Sequence, residues 1–121
     1  MEIQIAYELP TTYTLSNLQF EVGKSSIKEG SHKTLDELVE FLERKKGTKI
    51  RITGHTDSDG NDAANLQLSK DRAANVKRYL INKGIQPGRV ETAGHGETQP
   101  VALNSTAAGK AMNRRTEVHI L

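Results

Sequence analysis

The chain contains no cysteine and no tryptophan, and its 121 residues include only two Phe and three Tyr. The lack of cysteine excludes a disulfide framework, a thiolate-ligated zinc site and a thiol nucleophile. It leaves the redox compartment open, because a cysteine-free domain suits any compartment. The scarcity of aromatics argues against a base-stacking surface, so nucleic acid is not an expected partner. No hydrophobic run exceeds three residues, as in Tyr79-Leu80-Ile81, so direct membrane insertion by this stretch is not expected either. Charge of one sign is scarce as well: 17 basic against 15 acidic residues leave +2, too little to argue for a polyanion by itself. The opening Met1-Glu2-Ile3-Gln4 lacks the basic and apolar regions of a secretory leader. The expectation is a cytosolic protein or a piece of a longer exported chain. What remains, 35% hydrophobic and 26% charged residues, is the composition of a lean globular domain. A chain of this length buries about two-thirds of its unfolded surface and needs no covalent staple.

The patterning predicts one domain over residues 12–121, preceded by a tail or extra edge strand over 1–11. In that stretch Ile3, Ile5, Tyr7 and Leu9 alternate with Glu2, Gln4 and Glu8 until Pro10. Tyr13, Leu15, Leu18 and Phe20 predict a first strand over 12–20. Leu35, Leu38, Val39 and Leu42 follow the spacing of one helical face, which predicts a helix over 34–46. Thr34 and Glu37 fit a capping box at its start, and Gly47 fits its end. A short strand over 48–54 follows, then a polar segment to Asn65. A second helix is expected from Ser69 to Lys83, with Ala73, Val76 and Leu80 as its buried stripe. Gly84-Ile85 fits a Schellman ending and Pro87 a stop. Strands over 89–94 and 114–121 complete the set, with a short helical turn near 106–112 between them. The fold class is α+β: a two-layer sandwich with a mixed four-stranded sheet in βαβαββ order and helices on one face.

The densest polar cluster is Gly54 to Asp62. A calcium loop counted from Asp57 fails, because its sixth position is Asp62 rather than Gly and its twelfth is Leu68 rather than Glu. No two of the four histidines, 32, 55, 95 and 119, lie at ligand spacing on one element, so no metal is expected. His55 reads as a ring that packs at a strand end. Gly23-Lys24-Ser25 is not a P-loop, since Leu18 stands where the first glycine is required. In Asn113-Arg114-Arg115 the two arginines point to opposite faces of an alternating strand, so at most one serves a given site. Asp57, just past the second strand, and Arg72, on the expected first turn of the following helix, are the candidate pair. A helix N-terminus and a guanidinium suit a carboxylate, and Asp57 suits an ammonium. The two together read as a receptor for a zwitterion or, equally, as an internal Asp57–Arg72 salt bridge.

One ordered series carries a resemblance. It runs through Gly54-His55-Thr56-Asp57, Asn65, Leu68-Ser69 with Arg72-Ala73, Val76, Tyr79-Leu80, Gly84-Ile85 and Arg89-Val90. It continues through Gly94-His95-Gly96-Glu97, Pro100, Asn104, Thr106, Gly109 and Asn113-Arg114-Arg115. This series resembles the OmpA-like peptidoglycan-binding domain over roughly Thr12 to Leu121. The resemblance implies noncovalent anchoring of an envelope protein to the cell wall in the periplasm, without catalysis or cofactor. It implies the meso-diaminopimelate of the peptidoglycan stem peptide as partner, and it admits a homodimer. It assigns ligand-binding roles to Asp57 and Arg72. Leu68, Ser69 and Ala73 fall at the helix start, where the family supplies backbone donors and close packing. Phe20 borders the pocket, and Asn65 and Arg115 brace it. Glu21, where aspartate is common, and Lys110, where arginine is usual, depart from the pattern. The competing classes are a cell-wall peptide hydrolase with His55 as base and a polyanion binder using Lys110, Arg114 and Arg115.

Overall fold

The computed structural model describes residues 12–15, 18, 20 and 24–121; the expected tail or edge strand over 1–11 and Glu21 lie outside the described residues. Four strands, β1 (Thr12–Thr14), β2 (Ile50–His55), β3 (Val90–Gly96) and β4 (Arg115–Ile120), form one sheet in the order β1-β4-β2-β3. β2 and β3 run parallel, and β4 runs antiparallel to both β1 and β2. Three helices, α1 (His32–Arg44), α2 (Asp62–Asn82) and α3 (Ala107–Asn113), complete the order along the chain. The expected two-layer α+β sandwich with a mixed four-stranded sheet is therefore the observed architecture. The short turn before the last strand is a full α-helix, started by Thr106, whose hydroxyl accepts from the N–H of Gly109 at 3.0 Å.

Strand alternation sorts the sheet into an apolar face and a polar face. Ile50 lies opposite Val90 on one side and Ile120 on the other, and Ile52 lies opposite Val118. These side chains form one core with Leu35, Leu38, Val39 and Leu42 of α1 and Ala73, Val76 and Leu80 of α2. The intervening residues Arg51, Thr53, His55, Glu91, Arg115, Glu117 and His119 take the other face. There Arg51 pairs with its cross-strand neighbour Glu91 at 3.0 Å.

α1 keeps the apolar spacing read from the sequence but sits two residues earlier. Ser31 is its N-cap residue and makes no side-chain cap bond, and Thr34 and Glu37 lie inside the helix, so the expected capping box does not mark its start. The ending of α2 is as expected. Gly84 has φ +104°, its N–H reaches the carbonyl of Ile81 at 3.0 Å, and the N–H of Ile85 reaches Leu80 at 3.1 Å. That is the double bond of a Schellman motif, and it returns Ile85 to the core.

The start of α2 differs from expectation by two turns. Asn61 caps it by accepting from the N–H of Ala64 at 3.0 Å, and Asp62 occupies the first turn, where a carboxylate suits the dipole. Ser69 is therefore not a cap but a fully buried mid-helix residue. The helix lies directly on the sheet at this point. A Cβ on Gly54 would fall 2.4 Å from the carbonyl oxygen of Ser69, and one on its register partner Gly94 would fall 2.4 Å from the nitrogen of Lys70. Two glycines side by side thus make a flat saddle. Ser69 fastens the contact: its hydroxyl accepts from the N–H of Gly96 at 2.9 Å and donates to the carbonyl of Leu66 at 2.8 Å.

Candidate functional site

The saddle fixes the carboxyl end of β2 beneath the N-terminal half of α2, and the chain leaves β2 there as Thr56-Asp57. The N–H of Thr56 bonds the carbonyl of Gly96 at 2.8 Å, and its hydroxyl donates to the carbonyl of Asp57 at 2.8 Å. The Asp57 carboxylate is nearly enclosed, its side chain being 9% exposed. Oδ1 accepts from the N–H of Asp59 at 2.9 Å, and Oδ2 accepts from Nη1 of Arg114 at 2.5 Å. Burial pushes its pKa up. The Asp59 N–H, the Arg114 guanidinium and the charge of Lys110 outweigh that and hold it below the ordinary aspartate value. Asp57 is therefore an ionised carboxylate in a sheltered place.

The loop around it is tied from three sides. The side-chain amide of Asn65 donates to the carbonyl of Asp59 at 2.8 Å, and Lys110 pairs with the Asp59 carboxylate at 3.0 Å. The N–H of Ser58 donates to Oδ1 of Asn104 at 3.3 Å. Asn104 is in turn held by Asn113, a fully buried amide. Nδ2 of Asn113 donates to Asn104 and to the carbonyl of Ala102, while Oδ1 accepts from the N–H groups of Val101 and Ala102.

Arg72 sits on the third turn of α2, not the first. Its Nε donates to the carbonyl of Lys24 at 2.9 Å, and its guanidinium lies over the Phe20 ring, 4.8 Å from the centroid. Burial, then the nearby charge of Arg114, lowers its pKa. Ten residues of helix rise separate it from Asp62, about 15 Å along the axis, so Arg72 and the free N–H groups of the helix start cannot grip one carboxylate together. Leu68, Ser69 and Ala73 likewise lie inside the helix rather than at its start. Ser69 and Ala73 are fully buried packing residues there.

Arg72 and Asp57 are not bonded to each other, so the internal Asp57–Arg72 bridge is replaced by an Asp57–Arg114 pair. Of the two adjacent arginines, Arg114 is the one that turns to Asp57. Arg115 turns to the other face of the sheet, where its Nε donates to Glu117 at 2.6 Å and Nη2 to the carbonyl of Gln99 at 2.9 Å. Expected as a brace of the pocket, Arg115 instead secures the helix-free face. The strand parity of Asn113-Arg114-Arg115 carried this signal; which arginine it selected depended on where β4 begins.

His55 belongs to that helix-free face. It lies 3.2 Å from the Thr53 hydroxyl and 3.6 Å from a Glu117 oxygen, and Thr53 contacts His119 at 3.0 Å. Burial first, then Arg115, lowers its pKa from 6.5 to about 4, which makes it a weak base. Glu97, beside Asp62 and Asn65, has its pKa raised, first by a hydrogen bond with Asp62. Among the described residues no group of three or more His, Cys, Asp or Glu is placed to hold a metal ion, and no helix is long and apolar enough to cross a membrane.

Comparison with known proteins gives concordant matches. Residues 19–114 match the OmpA family. Outer membrane porin F of Pseudomonas aeruginosa is 42% identical over 105 residues, covering 86% of this chain and 30% of the porin. The matches with the first three curated relatives span 32%, 30% and 53% of their lengths, so this chain corresponds to only part of each. Among solved structures, the cell wall anchor of the T6SS from Pseudomonas aeruginosa superposes with a TM-score of 0.78 at 30% identity, covering 91% of this chain and 78% of that one. The peptidoglycan-associated lipoprotein from Burkholderia pseudomallei superposes with a TM-score of 0.77 at 27% identity, covering 93% of this chain and 91% of that one.

Proposed function

The chain belongs to the OmpA family, and from that premise we propose that it binds peptidoglycan noncovalently through the diaminopimelate zwitterion of the stem peptide. In this reading Asp57 takes the side-chain ammonium and Arg72 takes the side-chain carboxylate. The domain thereby anchors an envelope protein to the cell wall from the periplasm, and it performs no reaction on what it holds. The observation that carries the reading is the pair of fixed opposite charges. Asp57 is sheltered and ionised, and Arg72 is held on Phe20 by the carbonyl of Lys24, so both are oriented before any ligand arrives. The wall-anchoring descriptions of the similar structures support it.

The competing classes receive less support. A polyanion patch needs free cations, yet Arg114, Arg115 and Lys110 each have a carboxylate partner, in Asp57, Glu117 and Asp59. A hydrolase using His55 needs an accessible ring with a pKa near the working pH, and His55 is buried with a pKa of about 4. The test is co-sedimentation with purified peptidoglycan. The parent is expected to pellet with the wall, and Arg72→Glu is expected to stay in the supernatant with an unchanged far-UV circular dichroism spectrum. A folded Arg72→Glu variant that pellets like the parent refutes the assignment.

A further inference from the structure

We propose that Asn75 is a positioning residue for Arg72: its side-chain amide, oriented by Arg78, holds the 24–25 segment against α2 so that the Lys24 carbonyl keeps the Arg72 guanidinium in one orientation. This rests on the reading of Arg72 as the group that meets the ligand carboxylate. It extends the working part of α2 by one turn, to side chains that touch no ligand themselves.

Arg72 and Asn75 are one turn apart on the same face of α2, and they take two consecutive carbonyls. Nε of Arg72 donates to Lys24 at 2.9 Å, and Nδ2 of Asn75 donates to Ser25 at 2.7 Å. In an extended chain successive carbonyls point to opposite sides. Here both meet one helix, because the chain bends at Lys24. The two side-chain bonds hold that bend together. A Ser25 carbonyl without its donor lets the shared segment turn, and the Lys24 carbonyl turns with it. Arg72 then loses the acceptor that fixes Nε, and its terminal Nη edge loses its direction.

Arg78 sets which way the Asn75 amide faces. A guanidinium only donates and a carbonyl only accepts. Nη1 of Arg78 donates to Oδ1 of Asn75 at 2.6 Å, so Nδ2 is the atom turned to Ser25. The Arg78 charge also polarises the amide and strengthens its donation. Phe20 is seated by other means: it pairs with Ile27 across an antiparallel bridge, and both pack against the core. Its ring does not replace the Lys24 carbonyl, because a guanidinium can rotate over a ring face, whereas a carbonyl acceptor selects one N–H.

Isothermal titration with a stem tripeptide ending in diaminopimelate tests this on the parent, Asn75→Ala, Arg72→Gln and the double variant. Asn75→Ala is expected to weaken binding about five- to tenfold, the worth of one hydrogen bond. In the Arg72→Gln background the same change is expected to cost less than about twofold. An equal loss in both backgrounds shows that Asn75 acts on the fold and not through Arg72, and it overturns the inference. An Asn75→Ala variant that binds like the parent, beside an Arg72→Gln variant that binds weakly, also overturns it and leaves the reading of Arg72 standing. An Arg72→Gln variant that binds like the parent refutes that reading and the inference with it. A second measurement needs no ligand, and it decides where Arg72→Gln binds too weakly to titrate. By ¹⁵N NMR, the Arg72 Nε–H is expected to exchange with water at least about fivefold faster in Asn75→Ala than in the parent. Equal exchange rates overturn the inference.

Discussion

Acid should weaken this fold through His55 before it costs the fold either of the two carboxylates held below their ordinary values, Asp57 and Glu117. The ring is buried between Thr53, Glu117, Arg115 and the His95 ring, whose centroid is 5.3 Å away. Its pKa falls from 6.5 to about 4, because burial and the Arg115 charge disfavour the imidazolium more than Glu117 favours it. The unfolded chain therefore binds a proton between these two values that the folded chain refuses. Over that window stability falls as pH falls, and below about 4 this group has no further effect. A drop from 6.5 to about 4 corresponds to about 3 kcal/mol. Asp57 and Glu117 have lowered pKa values, so their contributions persist until the pH falls below the ordinary carboxylate range, 3.8 and 4.5. Urea unfolding at about pH 7 and about pH 4.5 separates the two regimes. The parent is expected to lose about 2–3 kcal/mol between them. His55→Gln cannot titrate, so it is expected to be less stable at neutral pH but to lose less on acidification, by most of that amount. Parallel losses in the two proteins would show that His55 does not refuse its proton, and the account of the helix-free face would be wrong.

Two further outcomes follow from the backbone and its side-chain ties. Gly84→Val places a β-branched residue at φ +104°, where nothing beyond the adjoining residues lies within 4 Å of the new Cβ; the backbone cost, about 1–2 kcal/mol, is expected to lower Tm by several degrees in a thermal melt. Asn113→Ala removes four hydrogen bonds to the 101–104 loop; the amides of Val101 and Ala102 are expected to exchange with solvent at least about tenfold faster, and unchanged protection would refute the role of Asn113 as their acceptor.

The parts of this protein legible in the sequence are those whose signals are local. Leu35, Leu38, Val39 and Leu42 define α1 by spacing alone, and Gly84-Ile85 defines the end of α2 by the one conformation that glycine permits there. The start of α2 was not legible, because Asp62 to Asn65 carry no apolar face: that turn stands on its Asn61 cap and its alanines rather than on burial. This shifted Arg72 from a helix start to a helix middle and changed what it can do. The saddle under Ser69 was invisible for another reason. Gly54 and Gly94 are 40 residues apart, and only the β2–β3 register places them side by side. Arg114 was missed because its partner, Asp57, is brought to it by the tertiary fold, 57 positions away in sequence.

The sheet order also sets how this domain meets tension. β1 runs parallel to β2, with β4 between them, and Thr12 lies level with Arg51 because both face His119. Thr12 therefore lies at one end of the sheet, while Asp57 sits beyond the other end. In the proposed binding mode, a pull between a ligand at Asp57 and Thr12 runs along the strands. The ladder bonds from β1 to β4 and from β4 to β2 lie across that direction, so they are loaded in shear and share the force rather than parting one after another as in peeling. An edge strand of three residues would be a weak seam if opened from its side; in this orientation it is drawn lengthwise, and its few bonds must yield together.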